Sequence, residues 1–315
     1  MLLNCLICFA VDTGSANTWI GADQPYQPSA TAQETGHRTA VSYGSGSFSG
    51  EEWTDAVGLA PDLVITQQMI GVAEKVQGFD GVDGILGLGP NTLTPGTVDG
   101  EDNVPTVLDT AYAQGMIPKK VLGISFQPVS EQNGFLTLGG TSRAYYTGSI
   151  TYTPITRESP SSYYFGIDVQ SLMAGSRTIF GTPYAGIVDT GTTLVYLADD
   201  FFSLYKAQIP RAQMDRNSGL LRFPKSSQSS VPPLHFTIAG RRFTMTAKAT
   251  LAQPHDYSVF GLDERYMYSW INTLGQNSRT GCDFILGQKF LERFYSVYDA
   301  DRGRVGLATT PWTTT

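Results

Sequence analysis

Two aspartates, Asp12 and Asp189, stand 177 positions apart in the same short phrase. The first reads Ala10-Val11-Asp12-Thr13-Gly14-Ser15, the second Ile187-Val188-Asp189-Thr190-Gly191-Thr192. In each copy an apolar run ends at an Asp, and hydroxyl, glycine, hydroxyl follow. One such phrase is ordinary turn chemistry after a strand. Two copies in matching contexts, more than half the chain apart, point to a duplicated unit that brings two carboxylates together. Carboxylates held close do not both ionise, and such a pair can work as base and acid on one water. Gly14 and Gly191 let backbone approach the carboxylates, which a Cβ would obstruct.

The elements that must position these residues are short strands. Phe9 to Val11 reads as a buried strand delivering Asp12 to a turn, and Thr18 to Ile20 as the next strand. A polar loop is expected over 21–36. Residues 39–43 and 47–51 alternate around Gly44-Ser45-Gly46, which predicts a hairpin with a small, projecting tip. A strand follows over 63–72. In the glycine-rich run 78–89, Ile85 and Leu86 are pinned between glycines, implying close backbone approach to another segment. Residues 105–114 predict a helix ended by Gly115 and Pro118. Phe135 to Leu138 reads as a strand, and 148–155 as a strand connecting two halves. Beyond it, 164–172 is a strand region, 186–188 leads into Asp189, 199–206 is a short amphipathic helix and 226–233 a Ser/Pro loop. Asp283-Phe284-Ile285-Leu286-Gly287 echoes Asp83-Gly84-Ile85-Leu86-Gly87. Each half therefore has strand-Asp-Thr-Gly first and apolar-apolar-Gly later, the order of two pseudo-twofold-related, β-rich lobes.

Composition agrees with an all-β fold: the 315 residues include 34 Gly and 17 Pro, and apolar residues fall in many short runs. With 21 basic against 28 acidic residues and no basic cluster, nucleic acid is not an expected partner. No stretch is long and apolar enough for a membrane; the N-terminal run to Val11 is too short and lacks the basic start and cleavage site of a complete signal peptide. Cys5 and Cys8 have C-x-x-C spacing, but no second pair or nearby His completes a metal site, and Cys282 has no evident partner. His37, His235 and His255 lie in unrelated contexts. No metal or other cofactor is expected.

The runs 11–23 (VDTGSANTWIGAD), 43–55 (YGSGSFSGEEWTD), 78–90 (GFDGVDGILGLGP), 146–156 (YTGSITYTPIT), 186–194 (GIVDTGTTL) and 290–310 (FLERFYSVYDADRGRVGLATT) resemble the pepsin-like aspartic endopeptidases. The likeness extends over nearly the whole chain from Phe9. It implies a bilobal acid protease fold, with an N-terminal lobe over 1–147, a C-terminal lobe over 148–315 and a substrate cleft between them. It also implies catalytic roles for Asp12 and Asp189, acting on a shared water without a covalent intermediate. Ser15 and Thr192 would bond the outer carboxylate oxygens, and Thr13 and Thr190 would lock the two loops. Tyr43, Gly44 and Ser45 would form the flap tip, with Trp19 holding Tyr43. Phe79, Ile85, Tyr164 and Thr193 match subsite positions, and Gly87 and Gly287 match glycines packed beneath the loops. A secreted monomer cutting protein or peptide substrates between bulky apolar residues at acid pH is the expectation.

Family members carry a prosegment and a leading strand pair before the first loop. Only Met1 to Val11 precedes Asp12 here, so those strands are expected to be missing and the first lobe to present an unpaired edge. A truncated, catalytically impaired relative acting as a peptide-binding module is the alternative. A glycosidase with two carboxylates is a third, but the hydroxyl-glycine pattern does not serve that chemistry.

Overall fold

The computed structural model describes residues 7–128 and 134–315; Cys5 and most of the apolar N-terminal run lie outside them. Two compact units emerge, Met1–Val121 with Leu138–Gly140 and Leu122–Thr137 with Thr141–Thr315.

The first unit is built on β1 (Phe9–Asp12), β2 (Trp19–Ile20), β3 (Gln33–Ser42), β4 (Ser47–Ala60), β5 (Leu63–Gln77) and β6 (Gly84–Gly87). They form one sheet in the order β1-β6-β2-β5-β4-β3. β6 runs parallel to β1, with Asp12 opposite Gly87, and antiparallel to β2, with Trp19 opposite Ile85. All four β6 residues are buried. Its glycines explain how it fits, since a Cβ on Gly84 would run into the Trp19 carbonyl.

The β3–β4 hairpin is longer than the sequence pattern predicts. β3 begins at Gln33, inside the expected polar loop, because main-chain pairing with Trp53 and Thr54 recruits it. Only Thr39 of β3 is buried, so no apolar alternation marks its first half. The predicted helix forms as α1 (Val107–Ala113). Thr106 caps it by accepting from the Asp109 N–H at 3.2 Å, and Val107, Leu108 and Ala111 face the core.

The second unit repeats the central motif strand for strand. Tyr184–Val188 runs parallel to Phe284–Leu286, which runs antiparallel to Val195–Leu197, which runs parallel to Ile271–Thr273. In the first unit β1, β6, β2 and β5 pair in the same order and senses. The expected strand region 164–172 divides at Gln170: Gly166–Val169 pairs with Tyr184–Val188, and Ser171–Ala174 with Leu234–Ile238. The Ser/Pro loop contains a short 3-10 turn, Lys225–Ser230. Asp199–Lys206 is helical as predicted, burying Phe201, Phe202 and Tyr205.

Candidate active site

Asp12 is the last residue of β1, and its carbonyl accepts from the Leu88 N–H at 2.7 Å. The residue is 7% exposed. Oδ1 accepts from the Gly14 N–H at 2.8 Å, and Oδ2 from the Ser15 hydroxyl at 2.5 Å. Below, Gly89 N–H donates to the Ser15 carbonyl at 2.7 Å. A Cβ on Gly87 would overlap the backbone of Ala16 and Asn17, so only glycine admits the loop this close.

Asp189 is framed in the same way. It is 7% exposed and follows Tyr184–Val188. The Gly191 N–H donates to Oδ1 at 2.9 Å and the Thr192 hydroxyl to Oδ2 at 2.5 Å. Gln288 N–H donates to the Thr192 carbonyl at 2.6 Å, and Gly287 lies where a Cβ would overlap the Thr192 and Leu194 carbonyls. Thr13 is fully buried and Thr190 is 7% exposed.

A second matched pair underlies the loops. Asp83 N–H donates to the Cys8 carbonyl at 2.9 Å, and its carbonyl accepts from Gly21 at 2.8 Å. Asp283 makes the equivalent bonds to Ala185 and from Ala198, at 2.7 and 2.9 Å. The echo of Asp83 to Gly87 in Asp283 to Gly287 was visible in the sequence; that its Asp ties each loop's entry strand to its exit was not.

The hairpin tip carries Tyr43 half-buried and Gly44 and Ser45 exposed. Trp19 Nε1–H donates to Tyr43 Oη at 2.8 Å, and Ser15 is close enough to act on the same phenol. Trp19 and Tyr43 thus lie next to the Ser15 hydroxyl that holds Asp12. Burial pushes the Tyr43 phenol well above its usual range; the Trp19 bond opposes this and the Asp12 charge adds to it, so the phenol stays protonated. Trp19 is fully buried, stacked on Phe48 at 4.4 Å between centroids and met edge-on by Phe79 at 5.1 Å. Phe79 also meets Tyr43 edge-on at 5.2 Å.

Phe48 escaped the sequence reading as a site residue. Its signal was the alternation Ser47-Phe48-Ser49 behind the tip. Ile85 is 3% exposed and packs with Trp19 and Phe48. Tyr164 and Thr193 are half-buried in the second unit, Tyr164 next to Phe165, whose carbonyl accepts from the Val188 N–H at 3.2 Å. Among the described residues no group of His, Cys, Asp and Glu could hold a metal ion, and no helix is long and apolar enough to cross a membrane. Cys8 and Cys282 are free thiols.

Residues 7–310 match the family described as eukaryotic aspartyl protease. Polyporopepsin of Irpex lacteus is 48% identical over 96% of this chain and 90% of its own length. Penicillopepsin-1 of Penicillium janthinellum is 31% identical over 94% of this chain and 89% of its own, and gastricsin of Suncus murinus 30% over 97% and 78%. The crystal structure of an aspartic proteinase from Irpex lacteus superposes with a TM-score of 0.92 at 48% identity, covering 97% of this chain and 90% of that one. The chain belongs to the eukaryotic aspartyl proteases and has their mostly β, pepsin-like fold. It is an aspartic-type endopeptidase, a hydrolase whose substrates are proteins or peptides.

Proposed function

We propose that Asp12 and Asp189 form one catalytic dyad that hydrolyses peptide bonds at acid pH. The observation that carries this reading is the identical frame of the two carboxylates: one backbone N–H on Oδ1 and one hydroxyl on Oδ2, at the end of the same four-strand motif. Brought together, the two carboxylates share one proton, as is general for aspartic proteases. The ionised partner takes a proton from a water lying between them, while the protonated partner donates to the scissile carbonyl oxygen. Attack gives a tetrahedral gem-diol; its collapse passes a proton to the departing amine and restores the shared proton.

Ser15 and Thr192 hold the carboxylates in position, and Thr13 and Thr190 lock the loops of two lobes over 1–147 and 148–315. The tip Tyr43-Gly44-Ser45 closes over the peptide and excludes water. Phe79, Ile85, Tyr164 and Thr193 shape subsites for bulky apolar residues, which suits the aromatic surroundings of Tyr43. A secreted monomer is the reading that fits the likeness to polyporopepsin. The test is casein hydrolysis at acid pH, with and without pepstatin, beside Asp189→Asn. Pepstatin-sensitive hydrolysis lost in the variant supports the dyad; pepstatin-insensitive hydrolysis, or activity surviving in the variant, overturns it.

A further inference from the structure

A group of buried charges lies behind the Asp189 loop, and peptide hydrolysis does not use it. The short helix Gln288–Leu291 starts from the loop, with the Gln288 and Lys289 N–H groups bonded to the Thr192 and Thr193 carbonyls. Lys289, Glu292 and Arg293 are 5%, 3% and 7% exposed. Lys289 Nζ donates to Glu292 Oε1 at 2.9 Å, lies 3.7 Å from Asp256 Oδ1, and sits 4.7 Å from the centroid of the Trp270 ring. His255 Nε2 is 3.3 Å from the same Asp256 oxygen. Arg293 Nη2 is 3.7 Å from Glu292 Oε2 and Nη1 donates to Thr315 Oγ1 at 2.9 Å, while Nε has no partner among the described residues.

Arg293 and Glu292 border a cavity of about 360 Å³ also lined by Lys248, His255, Trp270 and Trp312. That volume is in the range of small-molecule sites. Its charge is unbalanced in acid. Burial pushes the Glu292 carboxyl upward although Lys289 and Arg293 pull it down, and burial lowers Arg293 although Glu292 and Asp256 oppose this. Protonation of Glu292 would leave Asp256 as the side-chain carboxylate beside Lys289, while Arg293 Nη1 also donates to the Thr315 backbone oxygen at 3.3 Å. Lys248 adds a further cation at the rim, with no ion pair among the described residues.

We propose that this cavity binds a carboxylate carried on an apolar or aromatic body, its charge met by Arg293, Lys248 and His255 and its body by Trp270 and Trp312. The cations and the indole walls complement such a ligand's two ends. Two sources share this chemistry: a free aromatic acid, and the new C-terminal carboxylate of a cleaved peptide ending in an apolar residue. The site does not depend on the dyad reading.

Isothermal titration at about pH 5, in excess pepstatin to occupy the peptide site, tests it. The probes are 3-phenylpropionate, N-acetyl-leucyl-phenylalanine and the C-terminal amide of that dipeptide. At least one carboxylate should bind with a Kd below about 1 mM, and the amide should bind about tenfold more weakly than the dipeptide acid or not at all. Binding of both acids identifies the free acid as a sufficient ligand; binding of the dipeptide alone identifies the product. Lys248→Met and Trp312→Ala should each weaken binding about fivefold or more while the melting temperature and casein hydrolysis stay unchanged. No binding of either acid up to about 10 mM, amide binding as tight as acid, or undiminished binding in both variants overturns the proposal.

Discussion

The two hydroxyls on the outer carboxylate oxygens divide the work of holding the aspartates differently. The Thr192 hydroxyl bonds Asp189, whereas the Ser15 hydroxyl bonds Asp12 and also lies beside the Tyr43 phenol. A hydrogen bond to a charged group contributes about 1.5–3 kcal/mol. Thr192→Val should therefore lower kcat by roughly tenfold with KM little changed, read by steady-state hydrolysis of a chromogenic peptide. Ser15→Ala should lower kcat comparably and also raise KM, because the Tyr43 anchor loosens. Trp19→Phe removes the indole N–H that bonds the same phenol while keeping an aromatic ring, and should raise KM more than it lowers kcat. Equal KM in wild type and both anchor variants would refute the coupling of hairpin tip and carboxylate.

One further carboxyl at this scale makes stability depend on pH. Glu52 is 2% exposed, and burial raises its carboxyl to about 8 from an ordinary 4.5; Thr39 opposes the shift and Glu101 adds to it. The unfolded chain loses this proton near pH 4.5, the folded chain only near 8. Stability is therefore full below about 4.5 and falls as pH rises to about 8, by up to about 5 kcal/mol. Glu52→Gln, made in an Asp189→Asn background to prevent self-digestion, should leave the melting temperature at pH 4 nearly unchanged and raise it at pH 8. Parallel pH curves for the two proteins would refute this role.

At the scale of elements, each aspartate depends on the strand beneath it. Gly87 and Gly287 admit the loops because a Cβ at either position would meet backbone, which cannot move aside as a side chain does. Overpacking of this kind costs about 1–3 kcal/mol. Gly87→Ala and Gly287→Ala should each lower the melting temperature and reduce kcat, whereas Gly44→Ala, with open space around it, should leave the melting temperature unchanged. The β3–β4 hairpin is anchored by the Phe48 ring on Trp19, and Phe48→Ala should cost about 3–5 kcal/mol in denaturant unfolding. This scale also divides what the sequence disclosed from what it hid. The repeated Asp-Thr-Gly phrase and the two Ile-Leu-Gly runs announced both loops and their underlayers, because backbone crowding demands glycine at fixed places. The first half of β3 and the divide at Gln170 left no trace, since pairing partners distant in sequence decide them. Phe48 was legible as an inward strand residue, but its ring partner was not.

For the whole molecule, the repeat extends beyond the Asp-Thr-Gly phrase to the order and sense of four strands in each unit. Asp83 and Asp283, 200 positions apart, tie the corresponding strands in the same way. A duplicated frame of this kind is what two equivalent carboxylates need. The proposed dyad requires that Asp12 and Asp189 act together rather than as two separate sites. The most direct measurement is the rate of casein hydrolysis at acid pH for Asp12→Asn, Asp189→Asn and the double variant, each confirmed folded by circular dichroism. Either single change should remove nearly all pepstatin-sensitive activity, and the double variant should be no worse than the singles. Substantial activity in either folded single variant, or losses that multiply in the double variant, would contradict it.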